Sequence, residues 1–405
     1  MPFVSDTALT SLAHNRKISE WPHLRLDYFK AGRTGSGVNS AQFPRRPARY
    51  FRVVLWTRPP RVECGVSEEE ARSIFNDLPP RPDDINGVKG VSPSRKGLFA
   101  MRIGFALPNI GPVATPEAVI AVAERAEQLG YDSLWTIERL LYPVKLQRPY
   151  PVTADGSLPE VYKHALDPLE ALTFAAARTR KIALGTSVLD IPYYNPVMLA
   201  RRLTTLDFLS KGRVRVGLGL GWNKDEVDAT GADFKQRGAM ADEFLQVLKA
   251  IWTTNPVKFH GKFYQVPESY IGPKPVQKPH PPIYMGAFVP RALKRLAKYA
   301  DGWNPVGIPV DGMAQMFESI KQLAKEAGRD PSRIELIIRA HPEIADKPLG
   351  KERSLFSGTL DQIKEDIARC RSIGAHEIHF DPTFMGGGQA LDRWLVVMEQ
   401  IRKLV

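Results

Sequence analysis

Cysteine is almost missing from this chain. Only Cys64 and Cys370 occur among 405 residues, in unrelated contexts, too few for the disulfide framework of a secreted scaffold. A reducing compartment follows. No stretch approaches the roughly 18 to 20 consecutive apolar residues of a membrane span, and the N-terminus lacks the basic-then-apolar order of a secretory signal. The chain therefore reads as soluble and cytoplasmic, with no membrane partner. HExxH and paired CxxC motifs are absent, and His376 and His379 in HEIH, three apart in a strand, point to opposite faces. No metal site is expected. Ser187 has no G-x-S-x-G elbow around it, which leaves a hydrolase triad without support.

What is present divides into two unlike regions. Residues 1–100 carry 16 Lys+Arg against 10 Asp+Glu, half of the formal net charge of +12, and are rich in Arg and Pro, as in FPRRPARYFRVV and DLPPRPDDINGV. Proline removes backbone donors, and the patterned apolar surface is too small to offset the entropy of ordering the stretch. A disordered arm is the leading reading, with one short helix at Ser67–Asn76 on the capping-box spacing of Ser67 and Glu70. A tail for nucleic acid or another partner, and a biological start at Met101, stay open. Nucleic acid is one possible anionic partner, but the positive charge equally draws in a multiply charged small cofactor, and charge alone does not choose between them; nucleic acid is read as unlikely.

From Met101 to Val405 strands and helices alternate. Arg102–Leu107 reads as a buried strand, and Thr115-Pro116-Glu117 supplies a cap and a first-turn proline for a helix that Gly130 ends. The cycle repeats with strands at Asp132–Ile137, Lys181–Leu189, Arg213–Leu218, Pro282–Met285, Asp301–Pro305, Ile334–Arg339 and Glu377–Asp381. Helices open at Asp167-Pro168 with Glu170 as capping-box acid, at Asn195-Pro196, near Phe234, and near Pro290, Val310, Thr359 and Gln389. Eight strand–helix units in one 101–405 domain specify an α/β class (β/α)8 TIM barrel with insertions, and functional residues just after the strands.

Two rim segments stand out. Gly217-Leu218-Gly219-Leu220-Gly221-Trp222 lacks the third glycine of a dinucleotide fingerprint; the glycines admit close backbone approach to a flat ligand, with Trp222 as a wall, or form a tight turn. Met285-Gly286-Ala287-Phe288-Val289-Pro290 leads into a helix with no Ser, Thr, Asp or Asn at its cap, so that a phosphate, or water, can satisfy its first N–H groups.

With MRIGFALPNIGP, AERAEQLGYDSLW, LGTSVLDIPYYNPVMLARRLTTLDFLSKGRVRVGLGLGW, FHGKFYQ, GPKPVQKPHPPIYMG and YADGW in order, the chain resembles the luciferase-like monooxygenase superfamily, and within it the subgroup using the deazaflavin coenzyme F420. The resemblance implies a non-proline cis peptide at Ser187-Val188 whose bulge presses on the middle ring of the cofactor. It implies that Asn109, Glu138, Ser187, Val188, Gly219, Gly221 and Trp222 line the ring pocket, that Gly286, Ala287, Phe288 and Val289 hold the phosphate, and that Arg237 supports that end. A homodimer is also implied, since relatives are often dimers.

One departure bears on chemistry. Many relatives carry an acid and then His after the second strand, whereas this chain has Glu138-Arg139, and arginine cannot act as a general acid. Glu138 becomes the candidate acid or base, and Arg139 pairs with Glu138 or anchors an anionic substrate. The leading reading is hydride transfer between F420 and a small organic substrate, with Lys274, Lys278, Arg291 and Lys294 as a basic rim for its polyanionic tail. Reduced FMN with a separate flavin or F420 reductase as partner, for monooxygenation, is the first alternative. A non-catalytic F420 or flavin binder is the second.

Overall fold

The structure, a computed structural model, describes residues 100–405 except 154, 387 and 388; the expected arm and its helix at Ser67–Asn76 lie outside the described residues. Eight parallel strands follow one another: β1 (Arg102–Ala106), β2 (Ser133–Thr136), β3 (Ala183–Thr186), β4 (Val214–Gly219), β5 (Ile283–Met285), β6 (Gly302–Trp303), β7 (Glu335–Ala340) and β8 (Glu377–Phe380). Each pairs with the next, β8 returns to β1, and β3 also pairs with β4, so the sheet closes. The fold is a TIM barrel.

Helices α1 (Pro116–Gln128), α2 (Pro168–Arg178), α3 (Pro196–Leu209), α4 (Arg237–Thr253), α5 (Pro290–Tyr299), α6 (Val310–Glu326), α7 (Leu360–Ser372) and α8 (Leu391–Arg402) wrap it. Their starts follow local chemistry. Thr115, Asp167 and Asn195 each accept from the first free N–H groups ahead of a proline, and Thr359 with Gln362 forms a complete capping box. Glu170, expected to close a box at α2, turns instead to Arg202 at 2.6 Å, because a full opposite charge outcompetes a backbone N–H. Among the described residues no helix is long and apolar enough to cross a membrane.

Inside the barrel, side chains stack in layers. At the N-terminal end Glu377 accepts from Arg102 at 2.9 Å, from Trp135 Nε1 at 2.9 Å, and from Ser133 and Arg215. Arg102 and Tyr284 both donate to Glu335, at 2.7 and 2.9 Å. Burial alone pushes the Glu377 carboxyl up, but Arg215 and Arg102 more than offset it and hold it at about 2. Above this lies Trp135, stacked on His379 with ring centroids 4.7 Å apart. A Cβ on Gly185 would stand 2.4 Å from the Trp135 ring, and one on Gly104 2.3 Å from Ser133 Oγ, 2.8 Å from the His379 Cβ and 2.9 Å from Trp135 Nε1; Gly185 makes room for the indole, and Gly104 for the indole together with Ser133 and His379. His376 lies on the other face, against Phe317 of α6.

Candidate active site

The C-terminal strand ends gather Asn109, Glu138, Ser187, Val188, Gly219, Gly221, Gly286, Asn304, Arg339 and Asp381 at one mouth, since each follows or ends a parallel strand. The Ser187–Val188 peptide is cis, as the resemblance implies. Around it the chain closes tightly. Thr186 Oγ1 donates to the Gly217 carbonyl at 2.9 Å and accepts from the Gly217 N–H at 3.0 Å. Asn304 Nδ2 donates to Ser187 Oγ at 3.2 Å, and Arg339 donates to the Ser187 carbonyl at 3.2 Å.

The glycine run of β4 serves this bulge before anything else. A Cβ on Gly217 would lie 1.8 Å from the Thr186 carbonyl oxygen, and one on Gly219 2.6 Å from both Val188 and Asp190. The space that the sequence reading gave to a flat ligand is, at these two positions, filled by the neighbouring chain. Gly221 adopts φ +67°, which favours glycine, and donates to Asp190 Oδ1 at 2.9 Å. Trp222 packs on Tyr150 of the loop that follows β2, with centroids 4.9 Å apart.

Asn109 is buried and fully used: its amide donates to the Ile137 and Leu166 carbonyls at 2.7 and 3.1 Å and accepts from the Ile137 N–H at 3.1 Å. It therefore positions the loops after β1 and β2. Glu138 accepts from the Asp190 N–H at 2.6 Å and from the Tyr194 hydroxyl. Burial first, and the nearby Asp190 carboxylate second, raise its pKa to about 8, against the Tyr194 hydrogen bond.

Arg139 does not pair with Glu138. Its guanidinium bonds Glu226 at 2.8 Å and lies over the Tyr162 and Trp222 rings at 4.9 and 5.5 Å. Glu226 is fully buried and also takes the Leu140 N–H at 2.7 Å and the Tyr193 hydroxyl at 3.0 Å. Arg139 thus clamps the loop after β2 down, and its charge is spent within the fold. Nothing local in WNKDEVDA marks Glu226 as its partner, which sits 87 residues away in the chain.

A pH test of Glu138 follows. A carboxyl whose folded pKa is raised adds stability below its unfolded value near 4.5 and loses it as pH rises through about 8. Glu138→Gln keeps the neutral form at every pH. Denaturant melts at pH 5, 6.5 and 8 are therefore expected to show wild type falling relative to E138Q as pH rises; parallel curves would refute the buried neutral carboxyl.

Helix α5 begins at Pro290, and its cap residue Val289 makes no side-chain cap bond, so the expected opening for an anion is there. Gly286 has open space on its Cβ side, the nearest atoms being 3.8 and 3.9 Å away. Phe288 and Val289 are exposed. Of the expected basic rim, Arg291 and Lys294 are exposed on the first turns of α5. Lys274 is not at the rim: it donates to the Ile251 and Thr254 carbonyls at 2.6 and 2.7 Å, capping the far end of α4, and Lys278 bonds the Pro275 carbonyl at 2.9 Å. Both precede β5, so they belong to the opposite end of the barrel. Arg237 lies over the Phe234 ring at 3.7 Å.

No site residue named from the sequence lies on the β6–β8 side of the mouth. A cavity of about 630 Å³ opens there, walled by Val306, Arg339, His341, Phe356, Phe384 and Met385 among others. His341 stands one residue past β7 in a loop whose HPE carries no motif, which is why it went unnoticed.

Comparison with known proteins gives the family. An uncharacterized protein of Mycobacterium tuberculosis is 36% identical over 256 residues, covering 61% of this chain and 89% of its own. The F420-dependent glucose-6-phosphate dehydrogenase of Amycolatopsis mediterranei is 31% identical over 192 residues, 46% of this chain and 53% of that protein. The FMNH2-dependent dimethylsulfone monooxygenase of Pseudomonas putida is 32% identical over 155 residues, 38% and 42% respectively. The crystal structure of a monooxygenase from Streptomyces bottropensis shares the fold, with a TM-score of 0.63 at 22% identity over 75% of this chain and 98% of that one. The family model described as luciferase-like monooxygenase matches residues 99–353, and the chain belongs to the luciferase-like monooxygenase family and is an enzyme of that class.

Proposed function

We propose that this protein is an F420-dependent oxidoreductase acting on a small organic substrate, with residues 101–405 as its catalytic domain. The observation that carries the reading is the uncapped start of α5 on the same mouth as the Ser187–Val188 segment, which suits a cofactor joining a flat ring to a phosphate. The residues present fit such a group. The N–H groups of Ala287, Phe288 and Val289 take the phosphate, that of Gly286 being spent on the Leu218 carbonyl at 3.1 Å, and Ser187, Val188 and Trp222 bound the ring, with Gly219 and Gly221 shaping the segment behind them. Asn109 and Glu138 hold the walls through the bonds described above. Bound there, a deazaflavin supplies two-electron hydride transfer; the chain orients it and excludes water. Arg291 and Lys294 beside the phosphate site favour the more highly charged F420 over FMN.

The Pseudomonas relative's FMNH2 dependence supports a second reading, a reduced-FMN monooxygenase fed by a partner flavin reductase. Titrating the protein with F420 and with FMN, followed by fluorescence, separates the two. F420 is expected to bind more tightly, and tighter binding of FMN would overturn the first reading.

A further inference from the structure

Arg339 lies near the end of β7, and its direction follows from the strand's period of two. Glu335 bonds Arg102 and Tyr284 inside the barrel, and Ile337 packs with Trp135 and Tyr284, so Arg339 also points inward, closer to the mouth. Strands β3 and β7 lie four places apart around the closed barrel and therefore face each other across it. The Arg339 side chain spans that gap. Its Nη1 donates to the Ser187 carbonyl at 3.2 Å, while Nε and Nη2 hold Asp381 Oδ2 at 3.0 and 2.6 Å. Arg339 is thus a brace under the mouth, fixed at one end to the residue after β8 and at the other to the segment after β3.

Ser187 is tied from three strands. Its N–H donates to the Thr136 carbonyl at the end of β2 at 2.7 Å, its hydroxyl accepts from Asn304 just past β6 at 3.2 Å, and its carbonyl takes the Arg339 guanidinium. Val188 follows directly, and its methyl groups are among the nearest atoms to the Cβ sides of both Gly219 and Gly286. The held segment therefore sits between the glycine run of β4 and the start of the proposed phosphate loop.

The other end of the brace is as firm. Burial raises the Asp381 carboxyl, but the Arg339 charge first and His341 second more than offset it and hold it at about 2. Asp381 Oδ1 also takes the Thr383 N–H at 3.0 Å. His341 Nε2 stands 3.9 Å from Oδ2, beyond hydrogen-bond reach, which leaves the guanidinium to neutralise the carboxylate. A lysine cannot do both tasks: its single nitrogen meets Asp381 or Ser187 but lacks the planar fork that meets both.

Resting on the reading of this mouth as a cofactor site, we propose that Arg339 is a positioning residue for the cofactor ring. It fixes the ring's seat through the Ser187 carbonyl and acts on no reacting atom itself.

The test compares wild type with Arg339→Lys, Arg339→Met and the double variant Arg339→Met/Asp381→Asn. Whichever of F420 and FMN wild type binds more tightly is the probe. Three readouts are taken: its affinity by fluorescence, the visible circular dichroism of the bound ring, and the urea midpoint of the protein without cofactor. R339K keeps a cation beside Asp381 and is expected to hold the wild-type midpoint. It is expected to bind the probe at least about tenfold more weakly, the loss of one hydrogen bond to a charged group, and to lose most of the ring's dichroism. R339M is expected to lose midpoint as well, because it strands a buried carboxylate. Removing that carboxylate in R339M/D381N is expected to restore the midpoint but neither the affinity nor the dichroism. R339K with wild-type affinity and dichroism, or a double variant in which all three readouts return together, would overturn the proposal, since Arg339 would then serve the fold alone. Failure of wild type to bind either F420 or FMN would instead overturn the cofactor reading beneath it.

Discussion

Glu377→Ala is expected to destabilise the barrel by about 3 to 5 kcal/mol, the usual cost of removing one partner from a buried ion pair. The carboxylate is fully buried and accepts from Arg102, Arg215, Ser133 and Trp135. Truncation leaves two guanidinium groups at the N-terminal end of the barrel, where only Glu335 remains for Arg102. Glu377→Gln keeps two of the acceptor positions and is expected to cost less. Acid should act in the same direction. A carboxyl held at about 2 in the fold, against an ordinary value near 4.5, contributes stability above about pH 4.5 and loses it as pH falls toward 2. Urea melts of both variants at pH 7, and of wild type from pH 5 to pH 3, check these outcomes. A change of less than about 1 kcal/mol in E377A would mean that the cluster is not a unit of stability.

Gly217→Ala is the second large effect. The new Cβ would stand 1.8 Å from the Thr186 carbonyl oxygen. The obstacle is backbone, held in place by the paired Thr186–Gly217 hydrogen bonds, so it cannot rotate away as a side-chain tip would. Overpacking a core ordinarily costs about 1 to 3 kcal/mol; here the expected loss is at the top of that range or beyond it, read as a fallen urea midpoint or as insoluble expression. Gly286→Ala is the control. Its Cβ would meet nothing closer than 3.8 Å, and its stability is expected to stay within about 0.5 kcal/mol of wild type. Equal behaviour of the two variants would sink the argument from close approach.

What could be read from the sequence was what is decided locally. Thr115, Asp167, Asn195 and Thr359 mark their helices because a cap bonds to N–H groups two or three residues on, and eight strands in order then leave few topologies other than the barrel. Strand ends were less legible. The sixth strand was expected over Asp301–Pro305 but is only Gly302–Trp303.

The site was legible as a list of loops, not as a set of bonds. Trp222 was expected at the mouth, yet its partner Tyr150 comes from an insertion of no periodicity. Arg139 was seen as a departure, but its partner Glu226 is fixed only when the second and fourth strands lie close in space. Lys274 looked like a rim cation because sequence does not say which end of the barrel an insertion runs past. His341 carries no spacing signal; its standing comes from what Arg339, Asp381 and Phe384 do around it.

The indole of Trp135 occupies volume that Gly104 and Gly185 leave vacant, and its Nε1 is tied to Ser133 and Glu377 at 2.7 and 2.9 Å. In evolutionary terms these positions are one character spread over three strands. Gly185 cannot drift to alanine while the tryptophan stands, Gly104 is closed off by Ser133 Oγ at 2.3 Å and the His379 Cβ at 2.8 Å as well as by the indole, and a smaller residue at 135 opens a void unless its surroundings enlarge with it. Substitutions in the middle of this barrel should therefore pass between lineages as a linked set, β1 and β3 changing together with β2, even though no two of the positions are neighbours in the chain.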